Sequence, residues 1–112
     1  MKPCYVTIEL QELNDHSSFL RLVARADPRQ RLISLPAWVA ARWEMPLVWR
    51  VEPEPLYPLV TTRVRCLDRQ ARLHAHFMDD DCVIGTDALA ALDLLLLPSE
   101  GLVVANPGRR AG

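Results

Sequence analysis

The sequence predicts a mainly β protein that folds as a small closed β-barrel with two short helices. Short runs of the chain alternate apolar with polar side chains, turn-forming residues separate these runs, and the helical patterns are too short to connect successive parallel strands. The chain has 112 residues, enough for one compact domain. We therefore expect a single barrel domain over residues 1–105 with about seven or eight strands, mostly antiparallel, and a flexible tail over residues 106–112.

The first strands are predicted to form an antiparallel hairpin followed by a short third strand. Residues 4–13 and 17–26 alternate with a period of two, as strands do when they bury one face, and the polar residues between them suit a turn. A shorter apolar run at 31–34 predicts the third strand. Pro36 then occupies a position that the first turn of a helix tolerates, so we expect a short helix over about 36–43.

The middle of the chain predicts a peripheral segment and a second hairpin. Residues 47–58 begin as a strand but then contain prolines, which lack amide donors, so we place this segment at an edge and not in the centre of the sheet. Residues 61–67 and 71–78 alternate on either side of a turn at 68–70. The predicted inward side chains are Val64, Cys66, Leu73, Ala75 and Phe77, and the predicted outward ones are Arg63, Arg65, Arg72, His74 and His76.

The last third of the chain predicts a short strand, a helix and a closing hairpin. The apolar run at 82–84 ends at Gly85, and Thr86 is the expected N-cap of a helix over 87–93. Residues 94–97 and 102–104 are predicted strands, because the Pro-Ser-Glu-Gly segment between them is typical of a turn.

Composition and charge argue against several classes of partner. The net charge is −1, so we expect no long-range attraction to nucleic acid. The most apolar run is far shorter than the roughly 20 residues of a membrane-spanning helix, so we expect no membrane insertion. The three cysteines form no CxxC pair and no signal peptide is recognisable, which suggests reduced thiols and a cytoplasmic location.

Two segments carry a resemblance to a known family. The segment CVIGTDALAALDLLLLPSEGLVV contains the pattern hydrophobic-hydrophobic-Gly-x-Asp-x-Leu, at Val83, Ile84, Gly85, Asp87 and Leu89. It resembles the C-terminal half of the retropepsin-like aspartic proteases, in which this pattern precedes a short helix and a closing strand pair. Residues 27–46, DPRQRLISLPAWVAARWEMP, line up without a gap with that family's Asp-Thr-Gly-Ala-Ser segment and with the strand, proline and helix that follow it.

The resemblance spans roughly residues 4–104 and implies a homodimer. It places Asp27 at the catalytic aspartate, and because aspartic protease chemistry needs two carboxylates, the second would come from another copy of the chain. The residues expected to bind peptide are Pro28, Arg29, Tyr57, Ile84 and Gly85. We expect neither a cofactor nor a metal ion.

The motif around Asp27 departs from the family pattern at the next two positions. Pro28 stands where the family has Thr, and Arg29 stands where it has Gly, so a hydroxyl, an amide donor and backbone freedom are lost. The family's glycine-tipped flap corresponds here to VEPEPLYPLV at 51–60, which contains no glycine. We therefore expect impaired peptidase activity. An Asp-Pro turn is the favoured interpretation of Asp27, and Arg29 or Arg31 could pair with its carboxylate and hold it ionised.

The other candidate sites have simpler interpretations. His74 and His76 share a strand face and precede the acidic residues 79–81, so a metal site is conceivable, but a solvated strand face beside an acidic loop is favoured. The cysteines have no companion base in the sequence, so a nucleophilic role is disfavoured. The tryptophans are interpreted as core or dimer-interface anchors; they are Trp38, Trp43 and Trp49.

These observations leave three hypotheses for the function. The first is a homodimeric retropepsin-like domain, catalytically impaired, that binds a peptide or protein partner. The second is a small intracellular β-barrel regulator or scaffold module without an active site, of the double-psi or swapped-hairpin type, suggested by RLISLPAWVAARW at 31–43. The third is an active aspartic endopeptidase that uses Asp27 from two subunits. The strand order distinguishes the first hypothesis from the second.

Overall fold

The computed structural model describes residues 2–50, 55–78 and 81–107, and about half of these residues lie in strands. The strands are β1 (Cys4–Gln11), β2 (Phe19–Ala26), β3 (Ile33–Leu35), β4 (Trp49–Arg50), β5 (Pro55–Leu56), β6 (Val60–Cys66), β7 (Arg69–Phe77), β8 (Val83–Ile84), β9 (Leu94–Leu97) and β10 (Leu102–Ala105). The helices are α1 (Ala37–Arg42), which follows β3, and α2 (Thr86–Ala91), which follows β8.

Within the described ranges, six strands close into a barrel. Around the ring, β1 pairs with β2, β2 with β8, β8 with β3, β3 with β7, β7 with β6, and β6 with β1. The β9–β10 hairpin extends the sheet, because β10 pairs with β1 in parallel and β9 pairs with β10. The predicted fold class, a mainly β closed barrel with two short helices, is confirmed.

The sheet is more mixed than the mostly antiparallel one that the sequence predicts. The β2–β8, β3–β7 and β1–β10 pairs are parallel. In each of these pairs the two strands are far apart in the sequence. Parallel strands cannot be joined by a tight hairpin, so the intervening elements make the connection. The alternating hairpins that dominate the sequence pattern are antiparallel, as expected.

The barrel interior holds the apolar face of the alternating strands. Ile8, Leu10 and Val64 have no exposed surface. In β6 and β7 all the predicted inward side chains are buried, and the predicted outward ones are exposed or half-buried. Phe77 contacts two further aromatic rings, with centroid distances of 6.3 Å to Trp43 and 5.6 Å to Tyr57. The period-two pattern therefore predicted correctly which side chains of this hairpin face inward.

Several boundaries differ from the predictions by one or two residues; the third strand, for example, is Ile33–Leu35 and not 31–34. Helix α2 begins at Thr86 with Gly85 at its N-cap, one residue before the predicted cap, and the amides of Thr86 and Asp87 donate to backbone oxygens of Gln30 and Arg31 and not to a side-chain cap. The β6–β7 turn lies at Leu67 and Asp68 and not at 68–70. Both residues have positive φ, 50° and 67°, which is the backbone conformation of a two-residue hairpin turn whose twist matches that of the strands.

The predicted peripheral segment is confirmed as peripheral. Strands β4 and β5 pair only with each other in a separate two-stranded sheet, and residues 51–54 between them lie outside the described part. At the C-terminal end, Asn106 donates hydrogen bonds to the backbone oxygen and the carboxylate of Asp93, and the expected tail beyond residue 107 is also outside that part. Over the stretches that the structure covers, neither helix is long and apolar enough to cross a bilayer.

Candidate functional site

Asp27 lies in a loop that is fixed by backbone hydrogen bonds to a second loop. Strand β2 ends one residue before Asp27, whose N–H donates to the carbonyl oxygen of Ile84 at 3.0 Å. Because β2 and β8 pair in parallel, the segments that leave them, residues 27–32 and 85–87, run side by side. The position of Asp27 therefore depends on β8 as well as on its own strand.

Gly85 allows these two loops to approach each other. The N–H groups of Thr86 and Asp87 donate to the carbonyl oxygens of Gln30 and Arg31, at 2.9 and 3.1 Å. A Cβ atom on Gly85 would lie only 2.6 Å from each of these oxygens. Two amides in the first turn of α2 thus find acceptors in the Asp27 loop, and any side chain at position 85 would push the loops apart.

Four hydrogen bonds converge on the carboxylate of Asp27. Its Oδ1 accepts from the backbone N–H of Arg29 at 2.9 Å and from Nε of Arg29 at 3.0 Å. Its Oδ2 accepts from Nη2 of Arg29 at 3.2 Å and from Nη1 of Arg25 at 3.5 Å. Each carboxylate oxygen carries two lone pairs, so these four donors match the hydrogen-bonding capacity of an ionised aspartate.

This arrangement strongly favours the charged form of Asp27. The side-chain and backbone hydrogen bonds from Arg29 lower the pKa of Asp27 to about 2, and the positive charges of Arg29 and Arg25 act in the same direction. Only 13% of the Asp27 side chain is exposed, whereas that of Arg29 is 85% exposed. The carboxylate is therefore covered by its own partners, and the outer surface of the site is cationic.

The turn interpretation of Asp27 is confirmed. The bond from the Arg29 backbone N–H to Asp27 Oδ1 spans two residues, as in an Asx turn. Of the two arginines predicted as partners, Arg29 pairs with Asp27, while Arg31 pairs with Asp87 at 3.6 Å. Arg29 is also absent from the described non-glycine residues with positive φ. The loop therefore closes without the left-handed backbone that the family's Gly can adopt.

Arg25 is a site residue that the sequence interpretation missed. It lies two residues before Asp27, and its Nη1 is 3.5 Å from Oδ2 of that aspartate. The signal was present in the alternation of β2, because side chains two residues apart in an extended chain point to the same side. The alternation therefore already predicts that Arg25 lies on the same side of the chain as the Asp27 carboxylate.

The remaining predicted peptide-binding residues have different surroundings. Pro28 belongs to the same turn as Asp27 and Arg29. The side chain of Ile84 is fully buried, so this residue meets the Asp27 loop through its backbone carbonyl. Tyr57 is half-buried and packs edge-on against Phe77.

The two strand histidines each bond to a hydroxyl group. Nδ1 of His74 lies 2.7 Å from Oγ1 of Thr61, and Nε2 of His76 lies 2.7 Å from Oγ of Ser34. Among the residues with described positions, no three His, Cys, Asp or Glu side chains form a metal-binding group, and residues 79 and 80 lie outside that set.

The tryptophans differ in exposure. Trp43 is buried in the core, as one of the predicted alternatives requires, while Trp38 is half exposed. The side chain of Trp49 lies outside the description.

Comparison with solved structures identifies the fold. The chain is similar to the retroviral protease-like domain of Ddi1 from Leishmania major, with a TM-score of 0.65 and 13% identity over 96% of this chain and 90% of that one. It is similar to the EIAV protease complexed with the inhibitor HBY-793, with a TM-score of 0.57 and 13% identity over 86% and 93% of the two chains.

A third similar structure is a retropepsin-like aspartic protease from Rickettsia conorii, with a TM-score of 0.52 and 10% identity over 87% of this chain and 89% of that one. No family model matches the sequence, and no curated protein does. The chain therefore has a retropepsin-like fold, as its predicted resemblance implied. This likeness favours the retropepsin-like hypothesis over the double-psi or swapped-hairpin one.

Proposed function

We propose that this protein is a catalytically impaired retropepsin-like domain that acts as a homodimer and binds an extended peptide or a segment of a protein partner. The observation that carries this proposal is the set of four hydrogen bonds on the Asp27 carboxylate. The three buried, free cysteines fit a cytoplasmic location, since reducing compartments keep thiols unpaired.

The chemistry of an aspartic protease requires what this carboxylate lacks. In an active pair, two carboxyl groups share one proton, so that one activates water while the other donates to the scissile carbonyl. An Asp27 with a pKa of about 2 holds no proton near neutral pH, and its lone pairs already accept from Arg29 and Arg25. If a second copy brought its Asp27 close, that carboxyl group would face a carboxylate whose lone pairs already accept hydrogen bonds, and it would also face the Arg29 guanidinium. The arrangement therefore does not support a shared proton.

The proposed dimer surface is the outer face of β10 and β9 and of the adjoining parts of β1 and β2, around Tyr5 and Val23. This face carries exposed apolar side chains on adjacent strands: Val23, Tyr5, Leu102 and Leu95 are 65%, 51%, 49% and 42% exposed. Among the described strands, β9 ends this side of the sheet, so within this part of the chain its outer edge has no strand partner. A second copy that packed here would cover both the apolar face and the edge.

The proposed peptide site lies beside the loop that carries Pro28 and Arg29. Two of the compared structures are proteases, one of them complexed with an inhibitor, and we carry the idea of a peptide cleft over to this chain. An extended peptide can bind by adding a strand to an exposed sheet edge. Because the Arg29 side chain is largely exposed, we expect the site to prefer segments with an acidic or neutral residue near it.

A cleavage assay tests the proposal directly. β-Casein, an unfolded protein, is incubated with the wild type, Asp27→Asn and Arg29→Gly at acidic and at neutral pH. We expect the wild type and Asp27→Asn to give the same product pattern, with no cleavage that depends on Asp27. Cleavage by the wild type that disappears in Asp27→Asn would refute the impaired-enzyme proposal and support an active aspartic endopeptidase.

Sedimentation equilibrium tests the dimer separately. We expect a concentration-dependent monomer–dimer equilibrium that Leu95→Lys shifts to monomer, because a charge on the covered face must be desolvated. The matched control is Leu67→Lys, which introduces the same charge at an equally exposed leucine in the β6–β7 turn, away from the proposed interface. A wild type that stays monomeric at all concentrations would contradict the dimer.

A further inference from the structure

Four arginines lie together on the outer face of the barrel, on β2, β6 and β7, and none of them contacts Asp27 in the described part of the chain. Arg21 on β2 and Arg65 on β6 both stand opposite Glu9 of β1. Arg63 and Arg72 stand opposite each other on β6 and β7. We call this surface, made of Arg21, Arg63, Arg65 and Arg72 with Glu9 at its centre, the arginine face.

The arginine face has one carboxylate for four guanidinium groups. Nη2 of Arg65 lies 3.3 Å from Oε1 of Glu9, and Nη2 of Arg21 lies 3.7 Å from Oε2. Nη1 of Arg63 donates to the neutral amide oxygen of Gln70 at 3.3 Å, and in the described chain Arg72 has no ion pair. The surface therefore keeps an excess of positive charge after its internal pairs are counted.

Two features of this surface cost the free protein stability. Arg63 and Arg72 are directly opposite each other on antiparallel strands, and like charges in that register repel. Nε of Arg65 is buried without a hydrogen-bond acceptor among the described residues. Neither feature helps the barrel to fold. An anion bound between the strands would offset the repulsion between Arg63 and Arg72.

We propose that the arginine face binds an acidic, extended segment of a partner protein, with carboxylates at alternate positions. Arg63 and Arg65 are two residues apart on one side of a strand, which corresponds to roughly 7 Å. In an extended peptide, side chains at alternate positions on one side have the same spacing. Arginine forks can bind carboxylates in a bidentate geometry, and on this face Nη2 of Arg65 already lies 3.3 Å from a carboxylate oxygen of Glu9.

A cleft beside the arginine face gives this segment a place to enter. It has a volume of about 760 Å³, and its charged lining consists of three arginines and two carboxylates: Arg21, Arg65, Arg69, Glu9 and Asp68. Arg21 precedes Asp27 by six residues of extended chain, roughly 20 Å. The cleft is therefore separate from the Asp27 loop, and the proposal does not depend on the peptide site there.

The aromatic side chain on this face argues for a peptide and against a nucleic acid. The guanidinium carbon of Arg65 lies 3.5 Å from the ring centroid of Phe19, so this face of the ring is covered. Single-stranded nucleic acids bind to aromatic rings on which bases can stack, and Arg65 already covers one face of this ring. The net charge of −1 also gives no general attraction to a phosphate backbone.

Fluorescence anisotropy with a defined probe tests this proposal. The probe is a fluorescein-labelled ten-residue peptide of alternating Glu and Ser, compared with the same peptide of Gln and Ser and with a labelled oligothymidylate. We expect the wild type to bind the Glu peptide, and added salt to weaken that binding. Arg63→Gln/Arg72→Gln should weaken it at least tenfold, and Arg63→Lys/Arg72→Lys should weaken it less, because the charge remains.

The matched control removes two positive charges elsewhere on the protein. Lys2→Gln/Arg31→Gln should change the affinity for the Glu peptide less than twofold. In urea, Arg63→Gln/Arg72→Gln should unfold at the wild-type midpoint or above it, because a repulsive pair is removed; a lower midpoint would indicate a structural role and oppose the proposal. Three results would each overturn the proposal. The first is that the wild type does not bind the Glu peptide, and the second is that the affinity for that peptide falls equally in Arg63→Gln/Arg72→Gln and in the control Lys2→Gln/Arg31→Gln. The third is tighter binding of the oligothymidylate than of the Glu peptide.

Discussion

Both carboxylate oxygens of Asp27 accept hydrogen bonds from Arg29, the residue two positions later in the same turn. The pair is local in sequence, so it forms in every copy of the chain whether or not a second copy is present. An arginine at this position therefore supplies the counter-charge of Asp27 from within the subunit. In a shared-proton pair the corresponding partner would be the second carboxyl group.

Removal of the Arg29 side chain should raise the pKa of Asp27 towards its ordinary value. In the folded protein the pKa of Asp27 is lowered to about 2 from the ordinary value of 3.8, mainly by the Arg29 side chain. We expect the pKa to rise in Arg29→Ala towards 3.8, without reaching it, because the backbone N–H at position 29 and the Arg25 charge remain. Carbon-13 NMR titration of the Asp27 carboxyl group measures this shift.

The same substitution should change how stability depends on pH. Because the folded-state pKa is lower than the ordinary value, the ionised pair stabilises the fold above pH 3.8, and this stabilisation is lost as the pH falls towards 2. Arg29→Ala should lose less stability than the wild type over this interval in urea unfolding experiments. Arg31→Ala, which removes a charge that pairs with Asp87, should behave like the wild type. Equal acid sensitivity of Arg29→Ala and wild type would contradict the assignment.

The sequence predicted the fold more fully than the site because the two depend on different kinds of information. In β6 and β7 every second side chain is apolar, and this pattern correctly predicted which side chains between Val64 and Phe77 face the barrel interior. The parallel β2–β8 pair joins residues that are far apart in the sequence, and no periodicity reports such a contact. The position of Asp27 beside Ile84 was therefore accessible only through the family resemblance, and the part played by Arg25 was missed altogether.

Any side chain at position 85 should separate the two loops of the Asp27 site. A Cβ atom there would lie 2.6 Å from two backbone oxygens, which cannot rotate away as a flexible side chain would. We expect Gly85→Ala to lower the free energy of unfolding by about 3 kcal/mol, as measured by urea denaturation.

Gly101→Ala is the comparison variant for position 85. Its cost should be closer to about 1 kcal/mol, because φ is +69° there but the nearest contact of a Cβ atom is 3.2 Å. If Gly85→Ala were no more costly than Gly101→Ala, the close approach of the two loops would be wrong.

The buried thiols should resist alkylation in the folded protein. Burial raises the pKa of Cys66 to about 11 and that of Cys82 to about 12, so the reactive thiolate is scarce at neutral and mildly alkaline pH. We expect iodoacetamide to label neither residue in the native state and both in urea, as read by mass spectrometry of peptides. Rapid labelling of either cysteine in the native protein would show that the barrel opens or that the thiol is not buried.

The raised pKa values of these thiols also predict that the protein becomes less stable at alkaline pH. The folded state keeps the thiols protonated above the ordinary pKa of 9.0, where the unfolded chain loses those protons. Their contribution to the free energy of unfolding is therefore complete below pH 9.0 and decreases as the pH rises towards 11. Cys66→Ser/Cys82→Ser should show a smaller decrease over that interval, although its stability at neutral pH should be lower because two hydroxyl groups are buried.

Two hydroxyl–imidazole bonds of equal length provide a test of how burial changes the value of a hydrogen bond. Ser34 bonds to His76 and Thr61 bonds to His74, both at 2.7 Å, but Ser34 is buried and Thr61 is exposed. Loss of the buried Ser34 hydroxyl removes a hydrogen-bond partner from His76 and from Gln30, whose Nε2 lies 3.3 Å from Ser34 Oγ, whereas water can replace the exposed hydroxyl. We expect Ser34→Ala to cost about 1–3 kcal/mol, and Thr61→Val, which keeps the branched β-carbon, to cost less than about 0.5 kcal/mol.

Urea denaturation of both variants at neutral pH measures this difference. Ser34 lies on β3 and His76 on β7, and these strands pair in parallel, so the buried bond also joins the segment after the Asp27 loop to the second hairpin. Ser34→Ala should therefore also increase amide hydrogen exchange in β3, while Thr61→Val should leave that exchange unchanged. Equal costs for the two substitutions would show that the buried hydroxyl adds no more to stability than the exposed one, and would remove the proposed link between the site loop and the β6–β7 hairpin.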